Sequence, residues 1–111
     1  MKNSILELTN KHRYFLCQKR IRFGKGINGL VGVIINELGR DPMNGDVYIF
    51  VSQDCKMIKL LNYQDYAFTL YTRKIYHGKF VRPNKEDENG ALHLDWARLR
   101  RLVRGYGVIE K

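Results

Sequence analysis

The 111-residue chain contains few cysteines, few histidines and no long apolar run. Its two cysteines, Cys17 and Cys55, are too few for a disulfide scaffold and lack the spacing of metal ligands. The three histidines are scattered along the chain. These shortages exclude a disulfide-stabilised secreted domain and argue against a zinc module. We therefore expect no metal site and no cofactor.

The chain also lacks the hydrophobic segments of exported and membrane proteins. No stretch has the length of a membrane-spanning helix, and residues 1–10 have no apolar centre of the kind found in signal peptides. We expect a cytoplasmic protein with reduced thiols and no membrane contact. Hydrophobic residues make up 44% and aromatic residues 12%, which is enough for one folded domain and argues against disorder.

Acidic side chains are scarce relative to basic ones. Twenty Lys and Arg face eleven Asp and Glu, which gives a net charge of +9. Such an excess favours polyanionic partners, because each cation that contacts a phosphate releases condensed counterions. The alternative is a solvated surface that only keeps the protein soluble. Net charge alone does not choose between the two.

Apolar periodicity predicts one α+β domain in the order β-α-β-β-β-β-α, an antiparallel sheet of about four to five short strands with two helices. Residues 13–111 are expected to form this domain, and residues 1–12 an N-terminal extension. The predicted strands cover residues 13–18, 47–51, 57–61, 67–75 and 79–82, with a hairpin turn at His77 and Gly78. One helix is predicted over residues 27–38 with Gly39 at its C-terminus, the other from the N-cap Asp95 to Gly105.

Positive charge is concentrated in three acid-free tracts, which precede the first helix, span the predicted hairpin and lie on the last helix. Tracts that met on one face would form a surface that follows a phosphate backbone. Each tract alone is also explained by solvation, by edge-strand protection or by the helix dipole. The predicted nucleic-acid-binding residues are Lys19, Arg20, Arg22, Lys25, Arg73, Lys74, Lys79, Arg100, Arg101 and Arg104.

Other chemical signals in the sequence are weak. The segment Gly24-Lys-Gly26-Ile-Asn-Gly29 has the form GxGxxG, but no βαβ unit or ribose-binding acid is expected beside it. A tight turn is therefore favoured over a nucleotide site. Gly29 and Gly32 are expected to let the helix pack closely on the sheet, and the alternative is the close approach of a ligand. No nucleophile elbow or Cys–His signature is present, and the predicted strands are nearly free of acids. We expect no catalytic residues.

Six short motifs occur in a fixed order between Arg13 and Gly105. They are Lys25-Gly26-Ile-Asn-Gly29-Leu30, Asp41-Pro42-Met-Asn-Gly45, Val47-Tyr-Ile-Phe50, Ile58-Lys59-Leu-Leu61, Leu70-Tyr71, and Gly78-Lys79-Phe80 with Pro83. In this order and spacing the chain resembles the TnpB accessory proteins of the IS sixty-six class of bacterial insertion sequences. It resembles a divergent member, because the family usually has Asp-Met-Arg-Lys-Gly where this chain has Arg22-Phe-Gly-Lys-Gly26.

The resemblance implies a non-enzymatic accessory protein of a mobile element, encoded beside a separate transposase and needed for efficient transposition. The implied partners are that transposase and the DNA of the element, and the basic tracts are the expected DNA-binding surface. One alternative is a protein-interaction module that docks a partner through exposed tyrosines. A small nuclease is the least favoured alternative. The tyrosines considered for docking are Tyr48, Tyr63, Tyr66, Tyr71 and Tyr76.

Overall fold

A computed structural model of the chain describes residues 8–83, 86–87 and 89–104. This part of the chain forms five strands and two helices, and it confirms the predicted α+β class and element order. The elements are β1 (Tyr14–Cys17), α1 (Ile27–Asn36), β2 (Val47–Val51), β3 (Met57–Gln64), β4 (Ala67–Lys74), β5 (Ala91–Leu94) and α2 (Trp96–Arg104).

The strands form one sheet in the order β4-β3-β2-β1-β5. The meander of β2, β3 and β4 is antiparallel, as predicted. The pairing of β1 with β2 is parallel, with Tyr14 opposite Val47, so the sheet is mixed and not wholly antiparallel. The reason is that α1 carries the chain from the end of β1 back to the start of β2. The β1–α1–β2 segment is therefore a βαβ unit, which the sequence pattern did not predict.

The fifth strand lies elsewhere than predicted. The prediction of a strand over residues 79–82 after a hairpin at His77 and Gly78 is wrong, because the chain bends after β4 and Lys79 forms only an isolated bridge. The Phe80 N–H donates to the Cys55 carbonyl oxygen (2.7 Å), and its buried ring fills the core. The actual strand, β5, pairs antiparallel with β1 at the opposite edge of the sheet.

Both faces of the central strands are covered by helices. Along β1, Tyr14 and Leu16 belong to the hydrophobic cluster under α2, whereas Phe15 and Cys17 belong to the cluster under α1. Every residue of β1 and β2 is buried. Double coverage explains why both strands are continuous apolar runs without polar alternation. The sheet thus separates an α1 side from an α2 side.

The helix ends follow local chemistry. Helix α1 stops at Asn36, two residues before the predicted end, and Gly39 adopts a left-handed φ of +64°, as expected of a helix-terminating glycine. At the start of α2, the carboxylate of Asp95 accepts a hydrogen bond from the Arg98 N–H (2.8 Å), which confirms the predicted N-cap. The predicted end at Gly105 lies outside the described residues. Neither described helix is long and apolar enough to cross a membrane.

Candidate nucleic-acid interface

Residues 19–26, here called the basic loop, connect the end of β1 to the start of α1. The loop lies at the edge where the parallel strands β1 and β2 both finish. Ligands of α/β sheets commonly bind outside this end of parallel strands. The Gln18 N–H donates to the Gly90 carbonyl oxygen (2.8 Å) and so fixes the direction in which the loop leaves β1.

Apolar and basic side chains alternate in the basic loop. Ile21 and Phe23 are partly buried and pack against the cluster under α1. Lys19, Arg20 and Arg22 are exposed. The alternation anchors the backbone on one side and presents cations to solvent on the other. The loop therefore has three exposed cations on its solvent side.

Lys59 of β3 holds the basic loop from beneath. Its ammonium nitrogen donates to the carbonyl oxygens of Phe23 (2.8 Å) and Lys25 (3.1 Å). It also lies 4.7 Å from the centroid of the Phe23 ring, within range of a cation–π interaction. Lys59 was not predicted as a site residue, although a lone lysine in an apolar strand was a usable signal. Its charge serves to position the loop.

Arg20 lines three neighbouring grooves. A groove of about 420 Å³ also contains Lys19 and Arg82, and one of about 690 Å³ contains Arg22 and Asp54. The third, of about 430 Å³, runs along α1 between Arg22, Lys25 and Glu37. Within the described residues, ion pairs form only at Asp46, so none joins a cation of the loop to Asp54 or Glu37.

The two helix glycines border the third groove and do not pack on the sheet, so that expectation was wrong. A Cβ on Gly29 would lie 2.9 Å from the Cβ of Lys25, which shows that Gly29 makes room for the lysine stem. A Cβ on Gly32 would lie 4.0 Å from the side-chain amide nitrogen of Asn36, which is ordinary van der Waals contact. The first turn of α1 carries no acid, and its N-cap Gly26 supplies no side-chain hydrogen bond. The N-terminal end of α1 thus adds a partial positive charge to the loop.

Arg82 joins this surface although it was not among the predicted binding residues. Its guanidinium donates to the carbonyl oxygens of Val51 (3.1 Å) and Ser52 (2.7 Å), and its Nε donates to the Cys55 Sγ (3.4 Å). These contacts place it beside Lys19 and Arg20. Its partners lie about thirty residues earlier in the chain, so sequence spacing gave no sign of this position.

The residues of the other two tracts are divided between surfaces. Arg73 and Lys74 are exposed on β4, an edge strand, and Lys79 is exposed beyond it. Arg73 lines a groove between β4 and α2 together with Arg100 and Arg104, whereas the exposed Arg101 does not line it. Since α2 covers the face opposite to α1, Arg73, Arg100 and Arg104 lie on another face than the basic loop.

Two further arginines are used inside the fold. Asp46, which is 4% exposed, accepts two hydrogen bonds from Arg13 (2.9 and 2.8 Å) and one from Arg40 (3.2 Å). The Arg40 guanidinium carbon also lies 3.8 Å from the centroid of the Phe15 ring. Burial alone lowers the pKa of Arg40, but hydrogen bonds with Tyr48 and Asp46 raise it above its ordinary value. These arginines have a structural role.

The tyrosines considered for docking differ in exposure. Tyr48 is a core residue, 1% exposed, and its hydroxyl donates to the Asp41 carbonyl oxygen (3.2 Å). It is therefore not a docking residue. Tyr66 and Tyr76 are 95% and 78% exposed, whereas Tyr63 and Tyr71 are half-buried. In the part of the chain that the structure describes, no three His, Cys, Asp or Glu side chains are grouped to hold a metal ion.

Comparison with known proteins identifies the family. A family model described as IS66 Orf2 like protein matches residues 12–111. The chain belongs to this family. A similar protein, the uncharacterized protein y4jC of Sinorhizobium fredii, is 30% identical over an alignment of 101 residues, with 80% of this chain and 85% of the relative covered. No solved structure matches the chain.

Membership of the IS66 Orf2-like family confirms the resemblance inferred from the six motifs. The family is associated with IS66 insertion sequences and is not a known enzyme class. It therefore supports an accessory role in transposition.

Proposed function

We propose that this IS66 Orf2-like protein is a non-enzymatic accessory factor that acts in the cytoplasm beside the transposase and contacts element DNA through the basic loop. The observation that carries the proposal is the alternation of anchored and exposed side chains in that loop. Ile21 and Phe23 hold the backbone, while Lys19, Arg20 and Arg22 face solvent. No acid among the described residues forms an ion pair with them.

This arrangement suits a phosphate backbone. A guanidinium offers paired N–H donors that match phosphate oxygens, and exposed cations exchange condensed counterions for protein contacts. The N-terminal end of α1 and Arg82 add positive charge at the same edge of the sheet. The open grooves around Arg20 leave room for a strand of backbone to approach. Such contacts position DNA without reading its sequence.

The test measures binding of the full chain to a duplex with the terminal sequence of the element, over a range of salt concentrations. Replacing Arg20 and Arg22 by Gln removes two phosphate contacts, so the slope of log K against log salt becomes shallower by about 2. The free energy of unfolding stays within about 0.5 kcal/mol, since both side chains are exposed.

The matched control replaces Lys79 and Arg101 by Gln. It removes the same charge from two exposed positions away from the basic loop. We expect this variant to keep the wild-type slope. An unchanged slope in the Arg20→Gln, Arg22→Gln variant, or an equal loss in the control, would show that the loop is not the phosphate-binding site.

A further inference from the structure

The groove between β4 and α2 combines an apolar floor with a basic rim. Its volume is about 510 Å³, and it lies on the face of the sheet opposite to α1. We call it the α2 groove. Leu60 and Leu99 form the buried part of its floor, and Tyr71, Trp96 and Val103 are only partly buried. Arg73 stands on the β4 side, and Arg100 and Arg104 stand on the α2 side.

The rim arginines have a regular arrangement. Trp96, Arg100 and Arg104 are each four residues apart, so they follow one stripe of the helix and the two arginines are separated by about 6 Å along its axis. In the described part of the chain, no carboxylate forms an ion pair with Arg73, Arg100 or Arg104. The rim therefore presents three cations around an apolar trough.

We infer that the α2 groove docks a short acidic segment of a partner protein. An apolar side chain of that segment lies on the floor against Trp96 and Val103, and flanking carboxylates pair with Arg73, Arg100 and Arg104. Charge complementarity selects the acidic partner, because guanidinium groups bind carboxylates through two parallel hydrogen bonds. Such a partner would cover the partly buried Trp96 and the exposed arginines, and tryptophan and arginine are enriched among the residues that dominate protein–protein binding energy.

The apolar floor favours this occupant over duplex DNA. A phosphate backbone gains from the rim cations alone and leaves the floor exposed to water, whereas an acidic segment with an apolar anchor uses both. Trp96 also packs against the buried Tyr14, with the ring centroids 5.9 Å apart and the planes inclined by 45°. This inference does not depend on the proposed DNA contact, because it concerns the opposite face of the sheet.

The experiment measures fluorescence anisotropy of short labelled peptides with the full chain. One peptide has glutamates flanking leucine and phenylalanine; a second has glutamine for glutamate, and a third has serine for the two apolar residues. The wild-type chain is expected to bind the first at least about tenfold more tightly than either of the others. The variant with Arg73→Gln and Arg100→Gln should lose about tenfold or more in affinity for the first peptide. Arg101→Gln lies on the same helix outside the groove and should change it less than about twofold.

Other occupants give different results. Single-stranded DNA that binds with the same dependence on Arg73 and Arg100, while the acidic peptide does not, would replace the inference with a nucleic-acid site. Self-association that is lost in the same variant, without peptide binding, would identify a second copy as the occupant and overturn the inference. Failure of all three peptides to bind would also overturn it. A near-ultraviolet circular dichroism spectrum confirms that each variant is folded.

Discussion

The two ends of the parallel pair β1 and β2 contain similar arginines in opposite situations. At the end where the strands begin, Arg13 and Arg40 converge on the buried carboxylate of Asp46. At the end where the strands finish, Arg20 and Arg22 are exposed, and no carboxylate of a described residue pairs with them. An arginine can thus be paired within the fold or remain exposed and able to bind a ligand. The difference between the two ends is the buried carboxylate of Asp46.

The Asp46 end is also held by the turn that precedes β2. The Asn44 side-chain oxygen accepts a hydrogen bond from the Asp46 N–H (2.9 Å), and the Asp41 carboxylate accepts one from the Met43 N–H (2.9 Å). From β3, the Asn62 amide donates to the carbonyl oxygens of Gly45 (3.0 Å) and Asp46 (3.3 Å). The Asp41-Pro42-Met-Asn-Gly45 motif therefore serves to position Asp46. Its role at this site is structural.

The largest effect is expected when Asp46 is replaced by Asn. The change removes the charge that pairs with Arg13 and Arg40 and leaves Arg40 partly buried without its anion. We expect the free energy of unfolding to fall by about 2–4 kcal/mol, measured by urea denaturation. The control is Asp65→Asn, at an exposed turn with a left-handed φ of 54° that asparagine tolerates; it should change stability by less than about 0.5 kcal/mol. Equal losses in both variants would mean that Asp46 has no special role.

Local patterns were sufficient to predict some elements of this fold and insufficient for others. Helix α1 follows from the helical spacing of Leu30, Ile34 and Leu38, and the meander follows from apolar runs separated by short turns. The parallel pairing of β1 with β2 joins residues 33 apart in the chain, such as Tyr14 and Val47, and the pairing of β1 with β5 joins residues more than seventy apart, such as Leu16 and Leu92. Short strands that are buried on both faces carry no polar alternation to reveal such pairings.

The candidate site was predictable to a similar extent. The charges of Arg20 and Arg22 are visible in the sequence, and so is the absence of acids around them. The pairing of Arg13 with Asp46 across 33 residues and the support from Lys59 are not visible, because a charge alone does not specify its partner. The same limit left open in the sequence whether the three tracts meet on one face. The sheet places the basic loop on the α1 side and Arg73, Arg100 and Arg104 on the α2 side.

A smaller effect concerns the phenol at the beginning of β1. Tyr14 is buried, and its hydroxyl donates to the Thr9 carbonyl oxygen (2.7 Å). Burial, with a minor contribution from Tyr71, raises the pKa of Tyr14 from 10.0 to about 12. The folded state therefore keeps its proton at a pH where the unfolded state has lost it. The resulting stability is fully present below pH 10 and is lost as the pH rises towards 12.

Replacing Tyr14 by Phe tests this. Between pH 10 and pH 12 the wild-type chain should lose up to about 2–3 kcal/mol more stability than Tyr14→Phe, measured by urea denaturation at each pH. At neutral pH the variant should be less stable by about 1 kcal/mol, because the hydrogen bond to Thr9 is absent. Parallel stability curves for the two proteins over the alkaline range would contradict the raised pKa.

The smallest effect is expected at the loop end, where Lys59 is the only cation shown to donate to loop carbonyls in the described part of the chain. Replacing Lys59 by Met keeps an unbranched side chain but removes the hydrogen bonds to Phe23 and Lys25. The free energy of unfolding should fall by about 1–2 kcal/mol, less than at Asp46 because the released carbonyls lie closer to solvent. The control is Lys74→Met on the exposed edge strand, which makes no such bonds and should change stability by less than about 0.5 kcal/mol. A Lys59→Met chain as stable as this control would show that the loop holds its position through Ile21 and Phe23 alone. A greater loss than in Asp46→Asn would reverse the comparison and make the loop end the more tightly built of the two.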